Sequence, residues 1–337
     1  MGRVEKPSPQ PDRRLRVLTG YRPTGPLHVG HWFGNIQSML ELQSTHDAFF
    51  FIADWHALTT DFDRTERLPE NVRSLVLDWL AAGIDPQVAT VYLQSHVPEV
   101  AEMTLLLGMI TPLGWLERVP TYKERLRDLS EREIANYGLL GYPVLQTVDI
   151  AIVRGELVPV GEDQVAHLEL AREIVRRFNG LYGNVLVEPQ PLLSETPRIP
   201  GTDGRKMSSS LGNDIRINDE PPVMRKKAKG MVTDPQKIRL GDRGRPEVCP
   251  VFALHTKFSP DILAETEAGC RAGTLPCVKC KDNLGERLVT YFAPFQERRK
   301  ALDPATADQV LQAGRDKVRP VVEQTMKDVR TAMNLTT

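Results

Sequence analysis

Thr24-Gly25-Pro26-Leu27-His28-Val29-Gly30-His31 lies between an apolar run, 15–18, and an amphipathic segment that extends from Gly30 to about Gln43. An apolar run that passes into helical periodicity through glycines reads as a strand-to-helix turn. Phosphate binds well at such a turn, because a helix N-terminus carries unpaired N–H groups and a partial positive charge. Two glycines let a nucleotide come close to the backbone. His28 and His31 are three residues apart, so both rings can face one ligand as hydrogen-bond donors.

Working outward, further strands are expected at 48–53 and 89–93. Between them a helix is expected over 69–82, where Val72, Leu75, Val76, Trp79 and Leu80 repeat at helical spacing before Gly83. This β-α-β-α-β order predicts an α/β fold: a doubly wound parallel, Rossmann-like nucleotide-binding domain with a smaller α-helical domain. Ligands of such sheets bind beyond the carboxyl ends of the strands, where the His28–His31 turn falls. From about Asp219 the texture becomes basic and helical, with Arg225, Lys226, Lys227 and Lys229 close together. The expected division is a flexible tail at 1–13, the sheet domain at 14–204 plus 306–337, and the helical domain at 205–305. The stretch 305–335 reads as one or two amphipathic helices interrupted near Pro320.

A chain of 337 residues with 41% hydrophobic content can build the core of two domains. The longest apolar stretch, 103–116, is too short to cross a bilayer and contains Pro112. Residues 1–14 are polar, proline-rich and basic, without the apolar core of a signal peptide, so a cytoplasmic protein with no membrane partner is expected. The net charge is only −1, so a nucleic-acid partner has to be met by local basic patches.

A second cluster lies about 175 residues beyond His31. Gly201-Thr202-Asp203-Gly204 has strong turn chemistry and presents Arg205 and Lys206, followed by Met207, Ser208, Ser209 and Ser210. A loop that carries a cation and several hydroxyls suits a polyphosphate. The chain lacks a G-x-x-x-x-G-K-[ST] loop, a G-x-G-x-x-G turn after a strand and a G-x-S-x-G elbow, which removes P-loop hydrolases, simple dehydrogenases and serine esterases. The two clusters together point to an enzyme that activates a carboxylate with ATP.

All four cysteines fall within one short segment, as Cys249, Cys270, Cys277 and Cys280. In a cytoplasmic protein this clustering points to metal before disulfide, and four thiolates suit either Zn²⁺ or a [4Fe-4S] cluster.

The two motifs match the signatures of class I aminoacyl-tRNA synthetases, and the sequence between them resembles the tryptophanyl-tRNA synthetase family over roughly residues 15–335. The most specific stretches are Asp54-Trp55-His56-Ala57-Leu58-Thr59, Tyr142-Pro143-Val144-Leu145-Gln146-Thr147-Val148-Asp149-Ile150 and Val158-Pro159-Val160-Gly161-Glu162-Asp163-Gln164. The resemblance implies tryptophan–tRNA ligase activity, with ATP, Mg²⁺, L-tryptophan and tRNA(Trp) as cofactors and partners, usually in a homodimer. A tyrosyl-type synthetase, or a non-catalytic paralogue with a regulatory role, is the alternative. Intact His28, His31 and Lys206 argue against the paralogue.

By the same resemblance, Arg22, Pro23, Thr24, Gly25, Gly30 and His31 contact ATP, and Gly161, Glu162, Asp163 and Ile199 surround the adenosine. His28, His31 and Lys206 are the catalytic candidates, and Met207, Ser208, Ser209 and Ser210 belong to the ATP loop. Asp149 stands where the family places the acceptor of the indole N–H, and His56, Gln146 and Gln164 lie at the amino-acid end. Tryptophan needs apolar walls and one acceptor, and Leu18, Gly20, Tyr142, Val158 and Val160 can supply the walls. Some bacterial members with a similar cysteine pattern hold an iron–sulfur cluster, which favours the [4Fe-4S] reading. The first cysteine gap here is slightly shorter, which keeps Zn²⁺ as the alternative.

The chain departs from the family signature at Ser209, where a lysine is usual, so one phosphate-binding charge is missing. Lys123 and Arg125 are candidates to compensate, although a solvated helix face accounts for them better. The basic segment 225–229, with Lys237, Arg239, Arg243 and Arg245 nearby, suits contact with tRNA phosphates.

Overall fold

A computed structural model describes residues 13–119, 122, 136–161, 164–193 and 198–335. Five parallel strands form one sheet: β1 (Arg16–Tyr21), β2 (Asp47–Ile52), β3 (Thr90–Leu93), β4 (Leu157–Val160) and β5 (Gln190–Leu193). Their order is β3-β2-β1-β4-β5. The chain therefore winds from β1 outward to β3, then returns to the other side of β1 for β4 and β5. The crevice beyond the carboxyl ends of β1 and β4 is the switch point at which doubly wound sheets bind ligands.

Strand β2 is apolar almost without interruption because both of its faces are covered. Val17, Phe50, Ile52 and Val91 join a cluster on one face, while Leu18, Phe49, Phe51 and Tyr92 join a second cluster on the other. The first face is covered by α1 (Gln37–Thr45), and α2 (Asp54–Asp61) and α3 (Leu68–Ala82) follow β2. Helix α3 carries proline in its first turn and ends at Gly83 with φ 112°, the stop signal expected there. The second face is covered by α4 (Glu99–Ile110), α5 (Tyr137–Ile152) and α6 (Val165–Tyr182). Further helices include α7 (Pro221–Gly230), α8 (Pro250–Phe258), α9 (Leu263–Ala272), α10 (Cys277–Ala301) and α11 (Thr306–Ala332).

Three details differ from the sequence expectation. The segment after the His28–His31 turn is not one regular helix: a π-helical turn, Trp32–Ile36, precedes α1. Strands β4 and β5 are short and contain Pro159 and Pro191, which are poor strand signals. Helix α11 is continuous, with Pro320 inside it. Proline removes one intrahelical hydrogen bond, but the buried stripe Val310, Leu311, Val318, Val322, Met326 and Val329 holds the helix on both sides of it. The docking is close: a Cβ on Gly314 would lie 1.7 Å from the Val91 carbonyl oxygen in β3.

The C-terminal helices share the core of the first face. Met224, Leu254, Leu288 and Phe292 belong to the same apolar cluster as Ile36, Met39 and Ile52. The Trp32 indole donates to the Tyr291 hydroxyl at 3.0 Å. Helix α10 thus rests directly against the segment that carries His31.

Candidate active site

Near its end β1 carries Gly20, which packs on the Phe51 ring, and the chain then passes into Arg22, Pro23, Thr24 and Gly25. The Arg22 guanidinium reaches Thr60 and Asp61 on α2. Pro23 and Thr24 line a cavity of ≈ 380 Å³ together with Asp61, Arg64, Arg67 and Asn71. Its polar residues on and after α2 carry no motif that sequence reading could single out.

His28 is an N-cap in extended conformation, with φ −119° and ψ 170°. Its Nδ1 accepts from the His31 N–H while the His31 Nδ1 accepts from the His28 N–H, both at 3.3 Å, a reciprocal capping box built from two imidazoles. Each Nδ1 is an acceptor, so each neutral ring carries its proton on Nε2 and keeps that N–H to donate outward. The rings stack with centroids 3.4 Å apart. Gly30 permits this arrangement, since a Cβ there would lie 2.9 Å from His28 Cε1. Burial lowers the His28 pKa to about 4, opposed by Asp214. Burial, His28 and Lys206 lower His31 to about 3, again opposed by Asp214. At neutral pH the pair therefore offers two uncharged donors.

The second motif is tied to the first through the backbone. Val29 donates to the Ile215 carbonyl at 2.9 Å and Ile217 donates to the Leu27 carbonyl at 3.0 Å, which makes His28 and Arg216 an antiparallel bridge pair. Within the loop, Lys206 bridges to Pro200, and Met207 donates to the Ile199 carbonyl at 3.0 Å. The Ile199 and Met207 side chains are buried in the first apolar cluster, while Lys206, Ser209 and Ser210 are exposed. Asn213 organises the loop. Its Oδ1 accepts from the Ser208 N–H at 2.8 Å, and its Nδ2 donates to Asp203 at 2.7 Å and to the Lys206 carbonyl at 3.2 Å. The Ser208 and Ser210 hydroxyls are 2.9 Å apart, and Ser209 donates to Asp214 Oδ2 at 3.4 Å. Asn213 and Asp214 follow the motif after Leu211 and Gly212 and are nearly as buried as core residues; no pattern in the sequence marked them.

On the other side of the crevice, Asp149 on α5 is buried. Its Oδ2 accepts from His56 Nε2 and its Oδ1 from Gln94 Nε2, both at 2.8 Å. Burial raises the carboxyl pKa, and the bonds from His56 and Gln94 oppose that rise. Gln94, at the end of β3, is itself oriented: its Oε1 accepts from the N–H groups of Trp55 and His56. Sequence reading missed Gln94, because an isolated glutamine after a strand has no signature. Leu18, Val158 and Val160 are buried beside this network in the second cluster. The Tyr142 ring meets His56 edge-on at 6.5 Å, and its hydroxyl shares a hydrogen bond with His167 Nε2. Gln146 and Gln164 are half-buried, as is Gly161 beyond β4. Glu162 and Asp163 lie outside the described residues, as do Lys123 and Arg125.

The four cysteines line one small cavity of ≈ 20 Å³ with Thr233, Lys237, Val251, Phe252, Thr266 and Leu275. Burial and the three other thiols push the Cys280 pKa up to about 12. Burial also raises Cys270, against the nearby Lys237. His255 contacts Cys280 at its carbonyl oxygen, 3.1 Å, and at Sγ, 3.4 Å. Among the described residues, no three His, Cys, Asp or Glu side chains converge closely enough to hold a metal ion. Of the basic residues, Arg225, Lys227 and Arg245 are engaged by Glu286, Asp219 and Asp234. Lys226, Lys229, Arg239 and Arg243 are exposed.

Paired neutral donors at a helix start, a lysine loop bonded to the same segment and the buried, hydrogen-bonded Asp149 carboxylate define a nucleotide-dependent α/β enzyme of the synthetase type. The family model for tRNA synthetases class I (W and Y) matches residues 10–293, and the chain belongs to that family. It is 44% identical to a tryptophan–tRNA ligase of Aquifex aeolicus, over 95% of this chain and 100% of the relative. It is 45% identical to a tryptophan–tRNA ligase of Thermotoga maritima, over 95% and 99%. Among solved structures, the tryptophanyl-tRNA synthetase of Campylobacter jejuni complexed with ADP and tryptophan aligns with TM-score 0.86 at 33% identity, covering 95% of this chain and 100% of that one.

Proposed function

We propose that the crevice activates L-tryptophan with ATP and then transfers the tryptophanyl group to the 3′ end of tRNA(Trp). The observation that carries this reading is the joining of the two motifs at the carboxyl end of β1, on the same sheet edge as His56 and Gln94, the partners of Asp149 that follow β2 and β3. In the first step the tryptophan carboxylate attacks the α-phosphorus of ATP. A new O–P bond forms, the bond to the bridging oxygen breaks, and the electrons leave with pyrophosphate. No side-chain nucleophile is required, so catalysis rests on positioning and on stabilising charge. His28 and His31 donate Nε2–H to phosphate oxygens, Lys206 adds a charge, and the hydroxyls of Ser208, Ser209 and Ser210 add donors. Arg22, Pro23, Thr24, Gly25 and Gly30 border the nucleotide. Mg²⁺ arriving with ATP would neutralise part of the phosphate charge.

For the amino acid, Leu18, Gly20, Tyr142, Val158 and Val160 form the walls, and Asp149 accepts the indole N–H through a lone pair not used by His56 or Gln94. His56, Gln146 and Gln164 lie at the amino-acid end. A site built around one hydrogen bond rejects an analogue that lacks the donor by roughly 10⁴-fold or more, which separates tryptophan from phenylalanine. The direct test is ATP-dependent charging of a tRNA(Trp) transcript with labelled tryptophan. Charging with tyrosine instead would overturn the specificity.

Cys249, Cys270, Cys277 and Cys280 hold a metal, with a [4Fe-4S] cluster favoured over Zn²⁺. The cavity that all four cysteines line supports this donor set. Protein purified without oxygen should be brown and contain iron; stoichiometric zinc and no visible band would refute the cluster. The helical segment 205–305 serves tRNA, the remainder serves catalysis, and two copies assemble in the cytoplasm. Exposed Leu105 and Met109, one turn apart on α4 beside exposed Leu113, support the dimer. No helix among the described residues is long and apolar enough to cross a membrane.

A further inference from the structure

We propose that Arg216 binds the ATP triphosphate and supplies the positive charge that Ser209 does not. The proposal rests on the ATP site assigned above, and three observations carry it. The first is strand geometry. The hydrogen bonds Val29→Ile215 and Ile217→Leu27 flank the pair His28–Arg216 without joining it, so this is a non-hydrogen-bonded antiparallel pair, whose side chains leave the same face close together. Alternation supports the assignment: Leu27, Val29, Ile215 and Ile217 are fully buried on the core side, which turns His28, Asp214 and Arg216 toward the crevice.

The second observation is convergence on one atom. Arg216 Nε donates to Asp214 Oδ2 at 3.0 Å, and Ser209 Oγ lies 3.4 Å from that same oxygen. The guanidinium therefore occupies the neighbourhood that a charged side chain at 209 would share. The third is preorganisation with capacity to spare. The Arg216 backbone N–H donates to Asp219 at 2.9 Å, and Asp219 is in turn held by Lys227 at 2.6 Å. Among the described residues the Arg216 Nη groups meet no carboxylate, and the side chain is 44% exposed. A fork anchored through Nε and open at Nη suits phosphate oxygens. Asp214 fixes its direction, while Lys206 and the two neutral histidines complete the donor set.

The test is tryptophan-dependent ATP–pyrophosphate exchange with ATP and tryptophan varied separately. Arg216→Ala should lower kcat/KM for ATP by roughly tenfold to a hundredfold, as loss of one charge-assisted contact implies, and leave the KM for tryptophan unchanged. Ser209→Lys placed in the Arg216→Ala background should recover most of that loss. Normal ATP kinetics in Arg216→Ala would overturn the proposal, and so would a loss that Ser209→Lys does not recover, because Arg216 would then act only as the partner of Asp214. Lys206→Ala is assayed alongside. If it too is normal, the ATP site has been misassigned and both readings fall; if it is impaired while Arg216→Ala is not, only the role of Arg216 falls.

Discussion

Replacing Asp149 with asparagine or with alanine separates its structural role from its role as an indole acceptor. The side chain receives two buried donors, His56 Nε2 and Gln94 Nε2, each at 2.8 Å. The Gln94 amide cannot turn around, because its Oε1 is held by the Trp55 and His56 N–H groups. In Asp149→Asn the amide oxygen must therefore face Gln94 and the NH₂ must face His56, whose ring can respond by moving its proton to Nδ1. Both contacts survive, and the fold should lose no more than about 1 kcal/mol. In Asp149→Ala both donors are left unpaired, one of them on fully buried Gln94. At about 1–3 kcal/mol for each unpaired group, the expected destabilisation is roughly 2–6 kcal/mol. Urea unfolding measures this difference. Exchange kinetics measure the other role: Asp149→Asn exchanges a charged acceptor for a neutral amide, so kcat/KM for tryptophan should fall roughly tenfold to a hundredfold. Equal stability of the two variants would refute the hydrogen-bond network, and an unchanged kcat/KM in Asp149→Asn would refute the indole contact.

His28→Ala and Lys206→Ala should each slow adenylate formation roughly a hundredfold or more, the cost of one well-placed donor to a developing charge, as read by single-turnover kinetics. The histidine pair should also shape acid stability. With folded pKa values of about 4 and 3, the unfolded chain takes up these protons first, so stability is full above pH 6.5 and falls as the pH drops toward 4. Urea unfolding at pH 7.5 and 4.5 should show a smaller acid loss in a His28→Asn/His31→Asn variant than in the parent, and equal losses would contradict the buried neutral pair. Gly314→Ala should destabilise by about 3 kcal/mol or more and lower the melting temperature, because its Cβ would overlap the Val91 carbonyl and neither backbone can move cheaply.

Elements with a strong local signal were readable from the chain. Helix α3 shows periodic apolar residues, proline at its start and glycine at its stop, and it forms where those signals place it. The strand-to-helix turn at His28 was legible for the same reason. What escaped was long-range pairing. Gln94 acquires its role only when β3, α2 and α5 come together around Asp149. Asn213 and Asp214 matter because the loop after Lys206 folds back onto Leu27–Val29, a contact across almost 190 residues. Pro320 misled because the local cost of proline is offset by a buried stripe that only the tertiary structure supplies. Tertiary packing overrules local propensity in each case.

Amino-acid-dependent ATP–pyrophosphate exchange, run with tryptophan, tyrosine and phenylalanine separately, reads whether one crevice couples ATP to tryptophan. Exchange is expected with tryptophan alone; exchange driven by tyrosine, or none with any of the three, would refute that coupling.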